Sequence, residues 1–164
     1  MFRTPSLPEL RSMAWQAICG GANGVVFYSF FEALKPSPQN LTFHEQWGHL
    51  TTAAAEIAPH GELLLGEPAP APEHDPNSPW RMTRAHWVDG AVAKVYMLYA
   101  VSDGNGGGPT AFKLRWPIAT VELLVPGSAT RVARTIQPVG TRLFHDNLPP
   151  LGFAAYRVTL QHSV

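Results

Sequence analysis

Apolar residues recur every three or four positions in two early stretches of the chain, a spacing that predicts two helices. In the first, the apolar stripe is Leu10, Met13, Ala14, Ala17 and Ile18, with Pro8 and Glu9 in the first turn and Gly20 and Gly21 after the end. In the second, the stripe is Trp47, Leu50, Ala54 and Ile57, ended by Pro59. Thr42 and Glu45 precede that stripe at the spacing of a capping box.

An unbroken apolar run lies between the two helices. Asn23 and Gly24 predict a turn, and residues 25–30 then show no polar alternation. Such a strand is covered on both faces, as in a parallel sheet wrapped by helices. One helix and one strand cannot provide that cover. The run therefore predicts partner strands outside this sequence, so that the chain is the tail of a larger protein.

The pattern changes in the second half. Residues 67–79 alternate proline with other residues, which favours an extended spacer and a domain boundary. Beyond it, strands are predicted at residues 81–88, 91–101, 111–116, 120–125, 131–136, 142–144 and 153–160. The first two are joined by Asp89 and Gly90, a hairpin signal. Many short strands separated by turn residues predict an antiparallel β-sandwich.

Composition agrees with a turn-rich β protein. The 164 residues are 45% hydrophobic and only 15% charged, with 16 prolines and 14 glycines. The formal net charge of zero argues against a nucleic-acid binder and against electrostatic attachment to a membrane. The single cysteine, Cys19, rules out an intrachain disulfide and is expected to be a small buried residue. No signal peptide or membrane-spanning segment is predicted, which leaves the compartment open, a secreted parent protein included.

The order of the segments resembles the C-terminal end of (β/α)8-barrel glycoside hydrolases. Arg11 with residues 14–17, 21–24 and 25–30 is similar to the last αβ step of such barrels, and residues 47–57 with 63–65 to the final helix and exit. Residues 80–101 resemble the opening hairpin of the C-terminal β domain that many of these enzymes carry. Residues 144–146, 148–151 and 155–158 resemble its closing strand.

The resemblance implies an α+β chain: the truncated end of a (β/α)8 barrel at residues 1–66, a proline-rich linker at 67–79 and an antiparallel β-sandwich at 80–164. The catalytic carboxylates of the family would lie upstream, so this chain alone is expected to be inactive, although its parent would cleave O-glycosyl bonds. The missing barrel segment is then the expected packing partner, and carbohydrate is a partner only through the parent protein.

The candidate substrate-binding residues come from the same resemblance, since active sites of barrels lie at the carboxyl ends of the strands. They are Tyr28, Ser29, Phe30, Phe31 and Glu32. The family often places a sugar-stacking tryptophan there, and in this chain Phe30 or Phe31 takes that place. The alternative for Glu32 is a solvated loop carboxylate, and for Tyr28 and Ser29 it is core packing.

Other motifs give weaker hypotheses. His44 and His49 are five residues apart, whereas a zinc helix needs a spacing of four. The glycine-rich segment 103–108 lacks the Lys and Ser/Thr of a phosphate loop and predicts a flexible connection. Trp80, Trp87 and Trp116 are candidates for sugar stacking, against burial in the β core.

A second function stays open, a non-catalytic β-sandwich module that binds carbohydrate or protein. A standalone barrel is excluded by length, since that fold needs ~200 residues or more. Neither interpretation requires a cofactor, a metal, a nucleic acid or a membrane.

Overall fold

The computed structural model describes residues 4–27, 34, 41–61, 65–73, 78, 80–89, 94–102, 107–125 and 134–161. Within these residues the chain is a mixed α+β protein, as predicted. The helices are α1 (Leu7–Cys19) and α2 (Phe43–Ile57), which a 3₁₀ turn (Ala58–His60) follows. The strands are β1 (Glu67–Ala69), β2 (Trp80–Asp89), β3 (Lys94–Ser102), β4 (Gly108–Lys113), β5 (Ile118–Val125), β6 (Arg134–Ile136), β7 (Leu143–Leu148) and β8 (Phe153–Leu160).

Both helices begin at a polar cap. Glu9 accepts a hydrogen bond from the backbone N–H of Ser6 at 2.8 Å, which closes the start of α1. The predicted capping box of α2 is confirmed: Thr42 Oγ1 accepts from the N–H of Glu45 at 3.2 Å, and the Glu45 carboxylate accepts from the N–H of Thr42 at 2.7 Å. These bonds satisfy backbone donors that the first turn of a helix leaves without partners.

The strands form two antiparallel sheets. The larger has the order β1-β2-β3-β8-β5-β6, and the smaller pairs β4 with β7. The predicted hairpin is confirmed, because β2 and β3 pair from Asp89 opposite Lys94 onward. Its connection, residues 90–93, lies outside the described residues. The flexible connection predicted at 103–108 is wrong at its end, since Gly108 already pairs with Leu148 of β7.

The central strands of the large sheet are buried on both faces. On β3, Tyr96, Leu98 and Ala100 join the cluster on one face. The small sheet covers this face, with the rings of Phe112 and Phe144 at 5.3 and 5.1 Å from that of Tyr156. The alternate residues of β3 face the other way, where α1 packs on them. Successive side chains of a strand point to opposite faces, so β3 packs against the small sheet with one set of side chains and against α1 with the other.

The described part of the apolar run after α1 is not the strand that its sequence predicted. Val25, Val26 and Phe27 form no strand, and Val26 is 90% exposed. No described strand lies beside them to supply ladder hydrogen bonds, and an apolar run has no strand structure without a pairing neighbour. Residues 28–30 of the predicted strand lie outside the described residues.

The helices also bury different faces from those the pattern predicted. On α1, Ala14 and Ile18 are buried as expected, but Met13 is 58% exposed and Ala17 is exposed as well. The side of α1 that enters the core carries Trp15 instead. On α2, Trp47 is 42% exposed.

The predicted spacer takes part in the large sheet. Glu67–Ala69 forms its edge strand, with Glu67 opposite Trp87. Farther along, Glu73 bridges to Lys113 of the small sheet, and their side chains form an ion pair at 2.7 Å. The division into domains at residues 67–79 stays a prediction. No helix among the described residues is long and apolar enough to span a membrane.

Candidate functional site

The predicted substrate-binding residues, Tyr28, Ser29, Phe30, Phe31 and Glu32, all lie outside the described residues. Their role stays a prediction. The structure does describe the turn that leads to them and the surface on which that turn is held.

Arg84 of β2 holds the turn after α1. Its guanidinium donates to the carbonyl oxygens of Ile18 and Ala22 at 3.1 and 2.6 Å, and to Asn23 Oδ1 at 2.6 Å. The end of a helix carries partial negative charge on its carbonyls, so a half-buried cation there is favourable. Gly21 adopts a φ of 108°, a backbone conformation that suits glycine. The large sheet therefore fixes the path of the chain out of α1.

An aromatic–imidazole cluster joins α1 to the same face of the sheet. We use this name for Trp15, His60, His86, Tyr99 and Phe153. The Trp15 ring stacks on Phe153 at 4.3 Å and on Tyr99 at 5.8 Å. His60 meets the rings of Trp15 and Tyr99 edge-on at 5.6 and 5.7 Å, and His86 lies 6.5 Å from Tyr99.

Several polar atoms of this cluster have no hydrogen-bond partner among the described residues. They are Trp15 Nε1, His60 Nδ1, His86 Nε2 and Tyr99 Oη. His86 is anchored at its other nitrogen, since Nδ1 lies 3.0 Å from the carbonyl oxygen of Gly66. A neutral imidazole that donates from Nδ1 keeps Nε2 as an acceptor.

Burial sets the charge state of the cluster. It lowers the pKa of His60 and of His86 below the usual value of 6.5, because the charged form loses its hydration. It also raises the pKa of Tyr99 above its usual value. Nearby Cys19 is buried as predicted, and burial raises the pKa of its thiol to about 12. The cluster is therefore neutral near pH 7, and Cys19 is not an activated nucleophile.

For the tryptophans, sugar stacking was weighed against burial in the β core, and the described side chains of Trp87 and Trp116 pack in or against that core. Trp87 is buried and lies edge-on to the half-buried Trp116 at 5.0 Å and to Tyr96 at 5.5 Å. Tyr96 in turn donates to the carbonyl oxygen of Pro70 at 2.7 Å. These rings fill the core beside the edge strand β1. The side chain of Trp80 lies outside the described residues.

Among the described residues, the remaining motifs do not form a metal or phosphate site. His44 lies exposed in the first turn of α2, and among the described residues no three His, Cys, Asp or Glu side chains are grouped to hold a metal ion. Residues 103–106 of the glycine-rich segment lie outside the described residues.

A groove of about 350 Å³ runs along the open side of α1. It is lined by Pro5, Glu9, Ser12, Met13, Gln16 and Leu151. Leu151 has a φ of 54°, which is costly for a residue with a side chain. The groove is mixed in polarity and holds no pair of groups suited to acid–base or nucleophilic chemistry.

Sequence reasoning missed the aromatic–imidazole cluster, although one signal was present. Arg84 and His86 alternate with the core residues Ala85 and Trp87 on β2, so polar residues occupy a face that a helix covers. Comparisons with protein-family models and with curated proteins give no match.

Proposed function

We propose that this chain is the C-terminal part of a glycoside hydrolase-like protein, catalytically incomplete alone, with a β-sandwich accessory domain that packs against a barrel. In this proposal α1, the turn after it and α2 are the last αβ step and the final helix of a (β/α)8 barrel. The two facing sheets are the β-sandwich. The order of the elements supports it.

The observation that carries the proposal is the second apolar side of each helix. α1 uses Trp15 against the sheet, yet Met13 on another side is 58% exposed. α2 likewise leaves Trp47 42% exposed. Barrel helices that also carry an accessory domain need such a second surface, because one side faces the barrel strands and another faces the domain.

The contact between helix and sheet supports the accessory role. Trp15 is 1% exposed and is stacked between residues of β3 and β8. Arg11 extends the contact, since its guanidinium lies 5.7 Å from the Phe153 ring and pairs with Glu56 of α2 at 2.7 Å. Through these contacts the β domain would hold both helices in position for the barrel.

The run at Val25, Val26 and Phe27 acquires a role in this proposal. Strand structure requires a neighbouring strand, and the barrel would supply one on each side. Arg84, which holds the turn before the run, would then act as a positioning residue for the last barrel strand.

The coding sequence upstream of Met1 provides the first test. Further βα units in the same reading frame would support the proposal, and a stop codon directly before Met1 with no barrel segment encoded alongside would contradict it. At the protein level, the chain alone should show no turnover of a panel of nitrophenyl glycosides.

The docking surface is tested by substitution. Where an upstream barrel segment is found, it should co-purify with the chain, and Met13→Glu combined with Trp47→Glu should abolish co-purification. Val139→Glu is the matched control, since Val139 is 52% exposed but lies after β6, away from the helices. Equal loss in the control would contradict a specific surface. Binding to a glycan array that Trp116→Ala abolishes would instead support the carbohydrate-binding module.

A further inference from the structure

The interface between α1 and the large sheet contains two imidazoles at positions where a buried core usually has apolar side chains. His60 is 7% exposed and His86 is 1% exposed. Both rings meet that of Tyr99 edge-on, His60 at 5.7 Å and His86 at 6.5 Å. Trp15 of α1 packs on His60 and Tyr99, so α1 covers the site.

Among the described residues, the surroundings of the two rings offer no anion to stabilise a positive charge. α1 contributes Cys19, whose thiol is neutral, and Arg11. β2 contributes the Arg84 guanidinium, which disfavours a charge on His86. β3 contributes the phenol of Tyr99, and β8 contributes the apolar Phe153.

The carboxylate of Glu56, on the helical side, is already paired. Glu56 of α2 accepts from Arg11 Nε at 2.8 Å and from Arg11 Nη2 at 2.7 Å. The carbonyl oxygen of Gly66 accepts a hydrogen bond from His86 Nδ1, and this nitrogen already carries its proton in the neutral ring. A second proton would sit on Nε2, which has no acceptor among the described residues.

We infer that protonation of His60 and His86 releases α1 from the sheet, so that the contact between helix and sheet is a pH-sensitive latch. A charged imidazole at either position must reach water, and the shortest way is to move away from Trp15 and Tyr99. The opposite face of the sheet has no described histidine in its core cluster, so the β core keeps its packing when α1 leaves.

The direction of the pH dependence follows from the proton count. Burial lowers the pKa of both rings when α1 is docked, whereas released rings return to about 6.5. The released state therefore binds more protons below pH 6.5. Docking is strongest above that value and weakens as the pH falls toward the lowered pKa values.

Each imidazole that gains a proton on release changes the docking equilibrium by about tenfold per pH unit within that window. Two imidazoles acting together give about a hundredfold per unit. These factors are measurable as protection of α1 amides against hydrogen exchange, since exchange there requires the open state.

Hydrogen exchange of the whole chain, corrected for the intrinsic rate at each pH, tests the latch between pH 7.5 and 5. We expect protection of α1 to fall with a slope approaching two decades per unit, while β8 keeps its protection. His60→Phe should reduce the slope to one decade, because phenylalanine preserves the ring contacts without a titrating nitrogen. His60→Phe with His86→Asn should remove the slope, and the asparagine amide can still donate to Gly66.

His145→Gln is the control, since His145 is exposed on β7 and should leave the slope unchanged. A slope that persists in the double variant overturns the latch, as does loss of β8 protection in parallel with α1. Should the double variant fail to fold, NMR titration of the wild-type imidazoles decides: two rings that stay neutral below pH 6 while α1 is docked support the latch, and two rings that charge near 6.5 with α1 still docked refute it.

Discussion

Replacement of Trp15 by alanine tests whether α1 and the large sheet form one packed unit. The side chain is 1% exposed and stacks on Phe153 at 4.3 Å. A buried tryptophan removes 150–250 Å² from water, which at about 25 cal/mol per Å² corresponds to about 4–6 kcal/mol. The remaining alanine and the partly compact unfolded chain lower the expected loss of unfolding free energy to about 3–5 kcal/mol.

Urea unfolding followed by circular dichroism measures this loss. With a slope of about 2 kcal/mol per molar urea, the midpoint should fall by about 2 M. Met13→Ala is the control in the same helix, and because Met13 is 58% exposed its cost should stay within about 0.5 kcal/mol. Loss of helical signal without urea in the Trp15 variant would also agree with docking, because α1 alone is too short to be a stable helix in water.

A cost below about 1 kcal/mol for Trp15→Ala, or one equal to that of Met13→Ala, would refute the packing of α1 on the sheet. The substitution Trp15→Phe should reduce the unfolding free energy by less than Trp15→Ala does. It retains an aromatic ring against Phe153, so its cost should fall clearly between those of the two alanine variants.

Two further predictions concern buried polar groups. Tyr156→Phe should lower the unfolding free energy by about 1–3 kcal/mol in urea titrations, because the phenol donates at 2.8 Å to the fully buried carboxylate of Asp146; an unchanged midpoint would contradict a structural role for this bond. Cys19 should resist a thiol reagent at pH 8 in the folded chain and react at once in urea, since burial raises the pKa of its thiol to about 12; rapid labelling of the folded chain would show that the thiol is accessible.

The strands were the most predictable part of the fold. Residues 153–160 alternate polar and apolar side chains only at their end, yet the strand predicted there, after the turn residues Pro149, Pro150 and Gly152, has the observed bounds of β8. The capping box at Thr42 likewise depends on neighbours in sequence alone. Local chemistry decides such features, so local reasoning finds them.

The faces of the helices were less predictable, for a physical reason. Around α1 both Met13 and Trp15 are apolar, and periodicity does not distinguish which side meets the sheet. The choice depends on Tyr99 of β3 and Phe153 of β8, both more than 80 residues after Trp15 in the sequence. Likewise, His60 and His86 come together through the sheet and not through any spacing between them. The candidate substrate residues, by contrast, rest on the resemblance alone.

The sheet order has a consequence for how the chain is made. Among the described strands β8 comes last in the sequence, yet it lies between β3 and β5 in the middle of the large sheet. Until residues 153–160 leave the ribosome, β3 and β5 each expose an unpaired edge, and Trp15 lacks Phe153. Closure of the sheet therefore waits for residues 153–160, and until they are available the nascent chain depends on protection from aggregation.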